Sequence, residues 1–361
     1  MLGSLAKNIR DRMESLCAPG CAIALIEGGD LYELLTFGWA DVEARVPVTS
    51  KTVFSLQSIS KTMAAWAMLL LAERRLIDLD APIITYLTTF QLPANSSSEW
   101  EAVTIRRLLA HHGGVTPNGF RGVPKGVSGG SLRDALKRRL PPMTEEQIAY
   151  YRHWKLEEDG PVELVKKPGE GWLYSNVGFG LLECMLEDVT GENYNEFVTR
   201  EILRPLGVQD ASFEVNDDLC FAKPYTFDGA ATQLYSYPCK AAAGVYSHIV
   251  DLARFASAEI RAFNGISNSS RVISTALAQL LIEPFGLADK VLDRQFKTGL
   301  GHLTLEANGR RFVTHSGGTL GWRSTYCIQP ETGKGFCALM NSDQTNDYWI
   351  PMQRAWVEQV F

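Results

Sequence analysis

The apolar positions of the chain fall into strand-like blocks at its two ends and helix-like blocks between them. Near the start, "CAIALIE" and "LYELLTFGWAD" flank "GGD", a hairpin signal in which glycine supplies the turn. Toward the end, "GLGHLTLE" and "RRFVTHS" flank Asn308-Gly309, and "WRSTYCIQP" and "KGFCALMN" flank "ETG". About five strands are predicted from the two chain ends. The middle, from about Ser60 to about Lys240, carries helix-period patterns and Pro/Gly-rich loops. "MLGSLAKNIRDRMESLC" and "DYWIPMQRAWVEQVF" predict amphipathic terminal helices. The expectation is a single α+β domain: an antiparallel sheet with terminal helices from residues 1–60 and 241–361, and a mostly helical subdomain inserted at 61–240.

Within the middle, "TMAAWAMLLLA" is apolar nearly all round, the mark of a buried helix. Its most apolar run, Met63 to Ala72, falls short of the ~18 residues a membrane span needs. Lys7, Arg10, Asp11, Arg12 and Glu14 interrupt the first segment where a signal peptide keeps an apolar core, so a cytoplasmic protein is expected. The net charge is -6 and no Lys/Arg block occurs, which argues against nucleic acid and membrane surfaces as partners. Seven cysteines, at 17, 21, 184, 220, 239, 327 and 337, form no CxxC pair and read as reduced, buried thiols. Neither HExxH nor a Cys/His cluster appears, nor a phosphate-binding glycine loop, so no metal and no cofactor are expected.

The candidate chemistry begins where the apolar helix begins. Ser58 follows the strand-like "TVFSL", and Lys61, three positions on, shares its helix face. A lysine at the root of a buried helix is desolvated, which lowers its pKa toward a neutral amine able to take a proton. The helix N-terminus adds N–H groups where an oxyanion would form. By itself the spacing also fits a surface serine beside a snorkelling lysine. Ser4-Leu5-Ala6-Lys7 has the same spacing, but a chain end is a poor brace for a nucleophile.

"YSN" at Tyr174-Ser175-Asn176 is the only Y-x-N in the chain, and in an extended segment its outer side chains point the same way. It fits a proton-shuttling tyrosine with a polar partner, or a partly buried tyrosine followed by an asparagine turn. A rival nucleophile is Ser128 in "GVSGG", the G-x-S-x-G pattern of α/β-hydrolases. That pattern needs a preceding strand, and "TPNGFRGVPKG" is loop-like.

The stretch "VTHSGGTLGWRSTYCIQP" resembles the Lys-Thr-Gly strand motif of class C β-lactamases with its downstream glycine-aromatic pair. With Ser58-x-x-Lys61 and Tyr174-Ser175-Asn176 in the same order, the chain resembles the serine β-lactamase and penicillin-binding-protein family. "ERRLIDLDAPI", "TIRRLLAHHGGV", "EILRPLGV" and "AAAGVYSHIVDLARF" extend the likeness over most of the chain.

The resemblance implies a β-lactamase/transpeptidase-like fold. It also implies that Ser58 is acylated with proton transfer by Lys61 and Tyr174. Asn176, His315, Ser316, Gly317, Gly318 and Trp322 would bind substrate, with an oxyanion hole from the N–H groups of Ser58 and Gly318. A literal K-T-G at Lys297-Thr298-Gly299 lacks the right sequel and is set aside. His315 departs from the family's lysine, which in β-lactamases helps hold the substrate carboxylate. A mostly neutral imidazole is a weaker anion anchor. The expectation is therefore an esterase or acyltransferase acting on a small-molecule acyl donor, with water, an alcohol or an amine as acceptor. A β-lactamase or D-amino-peptide hydrolase is the alternative within the fold, and a silent ligand-binding domain the alternative outside it. The oligomeric state is open.

Overall fold

The computed structural model describes residues 11, 19–93, 97–117, 121–127, 130–156, 160–216, 218–266, 272–291, 294–307 and 309–344. The two expected terminal helices, Ser4, Ser128 and Asn308 lie outside the described residues.

The continuous apolar run "CAIALI" in β1 (Gly20–Glu27) suits a strand buried on both faces, and every residue from Gly20 to Ile26 is buried. β1 pairs antiparallel with β2 (Asp30–Asp41) on one side and β13 (Lys334–Met340) on the other, so the two chain ends meet in mid-sheet. The remaining strands of this sheet are β3 (Val46–Pro47), β8 (Gly286–Val291), β9 (Arg294–Thr298), β10 (Leu303–Ala307), β11 (Arg310–Thr319) and β12 (Trp322–Gln329). Their order is β3-β2-β1-β13-β12-β11-β10-β9-β8, nine strands where about five were expected, although the three quoted hairpins already supply six of them. The surplus lies at the two edges. β3 is two residues long, while β8 and β9, "GLADKV" and "RQFKT", carry charges and little apolar alternation. Short, charged edge strands resist further pairing and for the same reason read as loops. Two short pairings lie outside the sheet: β4 (Phe54–Ser55) with β7 (Tyr246–Ser247), and β5 (Val123–Pro124) with β6 (Tyr235–Ser236).

Helix α1 (Ser60–Glu73) is buried continuously from Ser60 to Leu71, as its all-round apolar sequence requires. Helix α2 (Asn176–Thr190) begins at the Ser175 N-cap, whose hydroxyl accepts the Gly178 N–H at 2.9 Å, and packs against α1. Helix α3 (Ile249–Phe263) covers one face of the sheet against β1, β2 and β13. The opposite face buries Cys21, Ile23, Leu25, Phe312, Phe336 and Met340. Among the described residues no helix is long and apolar enough to cross a membrane.

One feature of the sheet sets the location of the site. β10 pairs with β11 only as far as Thr314, so His315–Thr319 continues as an open edge. The turn that carries Ser58 fills the space beside that edge. Ser324 Oγ on β12 donates to Leu56 O at 2.7 Å, and a Cβ on Gly317 would collide with Leu56 O.

Candidate active site

Ser58 sits in a one-turn 3-10 helix, Gln57–Ile59, that runs directly into α1. It is partly exposed, whereas its neighbours Gln57, Ile59, Ser60 and Lys61 are buried. Lys61 Nζ lies 3.1 Å from Ser58 Oγ, 2.7 Å from Asn176 Oδ1 and 2.8 Å from Ala242 O. The rings of Tyr174 and Phe179 stand 4.9 Å and 5.5 Å from Nζ. Burial among these groups pushes the Lys61 pKa down to about 7. A neutral amine has two N–H bonds and one lone pair. Asn176 Oδ1 and Ala242 O can only accept, so they take both N–H bonds, and the lone pair is left for the Ser58 hydroxyl.

Tyr174 reaches Ser58 through its hydroxyl, and desolvation raises its pKa above the ordinary tyrosine value, keeping the phenol protonated. His111 holds Tyr174 in place. Its carbonyl accepts the Leu173 N–H at 2.8 Å and its Nδ1 accepts the Ser175 N–H at 3.0 Å, one bond on each side of the tyrosine. The imidazole packs on the Tyr174 ring with centroids 4.2 Å apart. Because Nδ1 accepts, the proton is on Nε2, and burial together with the Lys61 charge keeps the ring neutral. Sequence reasoning gave His111 no role in holding Tyr174. The available signal was a polar residue inside the apolar "LLAHHGG".

On the strand side, His315 is 4% exposed and its Nδ1 lies 2.8 Å from Ser316 O. A carbonyl only accepts, so Nδ1 carries the proton and Nε2 keeps its lone pair. Burial first, and the Lys61 charge second, push the His315 pKa down to about 3. Ser316 and Gly318 are exposed on the open edge, and Ser316 Oγ lies 2.9 Å from Thr325 Oγ1. Gly317 faces Gln57. Trp322, expected to bind substrate, is instead 1% exposed and packs edge-on against Phe54 at 6.1 Å. A large ring at the start of β12 gains more from the core than from a wet cleft.

The structure thus joins Ser58, Lys61, Tyr174 and Asn176 by direct contact, sets the His315 ring 6.5 Å from that of Tyr174 and Gly317 against Gln57, and buries Trp322. Residues 5–361 match the family model for Beta-lactamase. The chain belongs to the beta-lactamase family.

Protein flp of Staphylococcus aureus (strain MRSA252) is 25% identical over 200 residues, 55% of this chain and 36% of that protein. Penicillin-binding protein 4* of Bacillus subtilis (strain 168) is 27% identical over 186 residues, 51% of this chain and 36% of that protein. The matched part of the chain spans about a third of the length of these curated relatives. The octameric penicillin-binding protein homologue from Pyrococcus abyssi superposes with a TM-score of 0.76 at 24% identity, over 99% of this chain and 77% of that one. A class C beta-lactamase from Rhodobacter sphaeroides gives 0.74 at 22%, over 99% of both. The beta-lactamase/transpeptidase-like fold is that of this chain.

Two other clusters are accounted for without catalysis. Lys297, in the literal K-T-G, pairs with Glu306 at 2.9 Å on the outside of β9 and β10. Asp210, His248 and Asp251 could bracket a cation, but their acceptors are engaged. Asp251 Oδ2 takes the Gln209 and Asp210 N–H groups, Asp251 Oδ1 takes Arg254, and Asp210 Oδ2 takes Lys51. They close the N-terminus of α3. Of the described cysteines, all free, Cys220 is exposed and the other five are buried. The expectation of buried thiols therefore fails at Cys220.

Proposed function

We propose that the protein is a serine acyl-enzyme hydrolase or acyltransferase in which Ser58 carries the acyl group. Lys61 takes the Ser58 proton, Ser58 Oγ attacks an ester, thioester or amide carbonyl, and Tyr174 hands its proton to the leaving group as the Lys61 ammonium returns one to Tyr174. The N–H groups of Ser58 and Gly318 meet the developing oxyanion, and Asn176 orients Lys61. Water, an alcohol or an amine then takes the acyl group from Ser58. The observation that carries this reading is the buried Lys61 amine 3.1 Å from Ser58 Oγ, with both its N–H bonds already spoken for by acceptors.

The strand side supports the substrate class. His315 is neutral and keeps a lone pair where a carboxylate-binding family member has an ammonium, so it repels rather than anchors a carboxylate. Uncharged esters and amides fit best. The free thiols, including exposed Cys220, support a reducing compartment such as the cytoplasm. The second reading, a β-lactamase or D-amino-peptide hydrolase, draws on similarity to a class C beta-lactamase and a penicillin-binding protein.

Intact-protein mass after a fluorophosphonate probe, and then after a panel of uncharged acyl esters and penicillins, tests the reading. The wild-type protein should gain one adduct on Ser58 and Ser58→Ala none. Accumulation or turnover of penicillins ahead of esters would favour the second reading. Failure of Ser58 to label under any probe would revive a silent binding domain.

A further inference from the structure

Gln57, the residue directly before Ser58, has a left-handed backbone with φ of 49°. Glycine adopts this conformation freely; a residue with a Cβ does so at a cost. Strain of this kind persists only where the surroundings over-determine it. Here they do. Gln57 is 2% exposed, its Nε2 donates to Ser55 Oγ, and its amide is in polar contact with the Tyr237 hydroxyl. Tyr237, 4% exposed, also reaches Thr319 at the far end of the open edge of β11. From the strand side, a Cβ on Gly317 would stand 2.7 Å from the Gln57 Cβ, so that glycine exists to let the two backbones touch.

These contacts bracket Gly318. Its predecessor Gly317 rests on Gln57, and its successor Thr319 is tied to Gln57 through Tyr237. The Ser58 N–H belongs to the Gln57–Ser58 peptide, so the backbone of Gln57 sets the direction of that N–H. We infer that Gln57 and Tyr237 are positioning residues for the oxyanion hole, forming a Gln57–Tyr237–Thr319 strut that sets the Ser58 N–H against the Gly318 N–H. This rests on the reading of Ser58 as the nucleophile. Neither side chain has to touch the substrate for the strut to act.

The strain makes the inference testable without losing the fold. Gln57→Gly relieves the backbone while it loses the buried side chain, so the two effects offset and its Tm should stay close to that of wild type. A residue that merely held the fold would not combine that with lost activity. If the strut sets the hole, Gln57→Gly should slow phosphonylation of Ser58 and kcat on p-nitrophenyl butyrate by about ten- to a hundredfold, with KM within about twofold. Affinity for a boronic acid, which mimics the tetrahedral intermediate, should fall in step. Tyr237→Phe, which keeps the ring, should fall in the same direction, and the double variant should lose little more than Gln57→Gly alone.

If wild-type Ser58 does not label, the nucleophile assignment falls and the strut with it. If wild type labels and Gln57→Gly labels as fast with unchanged boronic acid affinity, only the strut is overturned. Full additivity of the two substitutions would also overturn it.

Discussion

The cleft has two walls, and each has one position where a cation could stand. On the helix wall, Lys61 rises from the first turn of α1 and is stripped of water by Tyr174, Phe179 and the 240–243 turn, which lowers its pKa to about 7. On the strand wall, His315 occupies the first position of the open edge and is neutral at any pH well above about 3. The same physical cause, desolvation, acts on both. The outcomes differ through the partners. Lys61 gives its two N–H bonds to Asn176 and Ala242 and keeps its lone pair for Ser58, whereas His315 gives its one N–H to Ser316 O. Above about pH 7 both walls therefore offer lone pairs, and neither offers a fixed positive charge. Charge in this cleft is decided by burial more than by residue type.

The strongest way to break the comparison is to remove the amine. Lys61→Met should lower turnover by about 10³- to 10⁴-fold, near the top of what proton-transfer groups contribute. It should also raise stability at low pH, because a charge held in a dry site is removed, an effect partly offset by the Asn176 and Ala242 acceptors it leaves unpaired. The sign with pH follows from the depressed pKa. Between about 7 and the ordinary lysine value of 10.5, the unfolded chain binds more protons than the folded one, so wild-type stability rises with pH across that window. Below about 7 both states are protonated and the full cost is carried. The stability advantage of Lys61→Met should be largest below pH 7 and shrink toward pH 10.5, as read by denaturant melts. Wild-type kcat/KM should rise with pH through about 7 as Lys61 loses its proton. Tyr174, His111, His315 and Cys239 face Lys61, and their pKa values are displaced away from neutrality, so they leave that limb to Lys61. A limb near 3 would assign the base to His315 instead.

Tyr174→Phe should cost less, about 10²- to 10³-fold in kcat, since the ring still shields Lys61 and only the hydroxyl is lost. The pH limb should stay near 7. A limb displaced upward would mean that the hydroxyl, and not burial, sets the Lys61 pKa.

Legibility differed between the walls as well. The helix wall could be read because Ser58 and Lys61 stand at helical spacing before a segment apolar all round, and Tyr174 and Asn176 stand in the one Y-x-N. The strand wall could be read only by resemblance, since "HSGG" carries no periodicity of its own. What could not be read depends on contacts distant in sequence. His111 earns its place only through the Leu173 and Ser175 amides, more than sixty residues away. The left-handed backbone of Gln57 has no mark in "FSLQSISK". Trp322 looked like a pocket residue because aromatic rings suit both clefts and cores, and only its packing on Phe54 decides between them. The polar strands β3, β8 and β9 lacked the alternation by which strands are recognised.

A smaller effect sharpens the comparison at His315. His315→Lys would place an ammonium on the strand wall and should shift relative kcat/KM from uncharged esters toward penicillins by roughly tenfold, the worth of one charge-assisted contact. A second cation near Lys61 should also move the pH limb below 7, because like charges disfavour the protonated amine. An unchanged ratio with an unchanged limb would show that position 315 faces neither substrate nor Lys61.

The smallest expected effect belongs to Lys297, and it decides which strand bears the motif. Lys297-Thr298-Gly299 has the literal spelling but sits on β9, its ammonium 2.9 Å from Glu306 Oε1, with both side chains well exposed. Exposed pairs of this kind contribute little and are screened by salt. Lys297→Ala should therefore leave the denaturant midpoint essentially unchanged. It should leave both the ester-to-penicillin ratio and the pH limb where they are, since no described contact links it to Ser58 or Lys61. Glu306→Ala should be as mild, and the double variant should lose no more than either single one. A Lys297→Ala variant whose substrate ratio moved as far as that of His315→Lys would transfer the anion-binding role to β9. The open edge of β11 would then lose its claim to be the second wall, and the contrast between a neutralised lysine and a neutral histidine would have to be drawn elsewhere in the cleft.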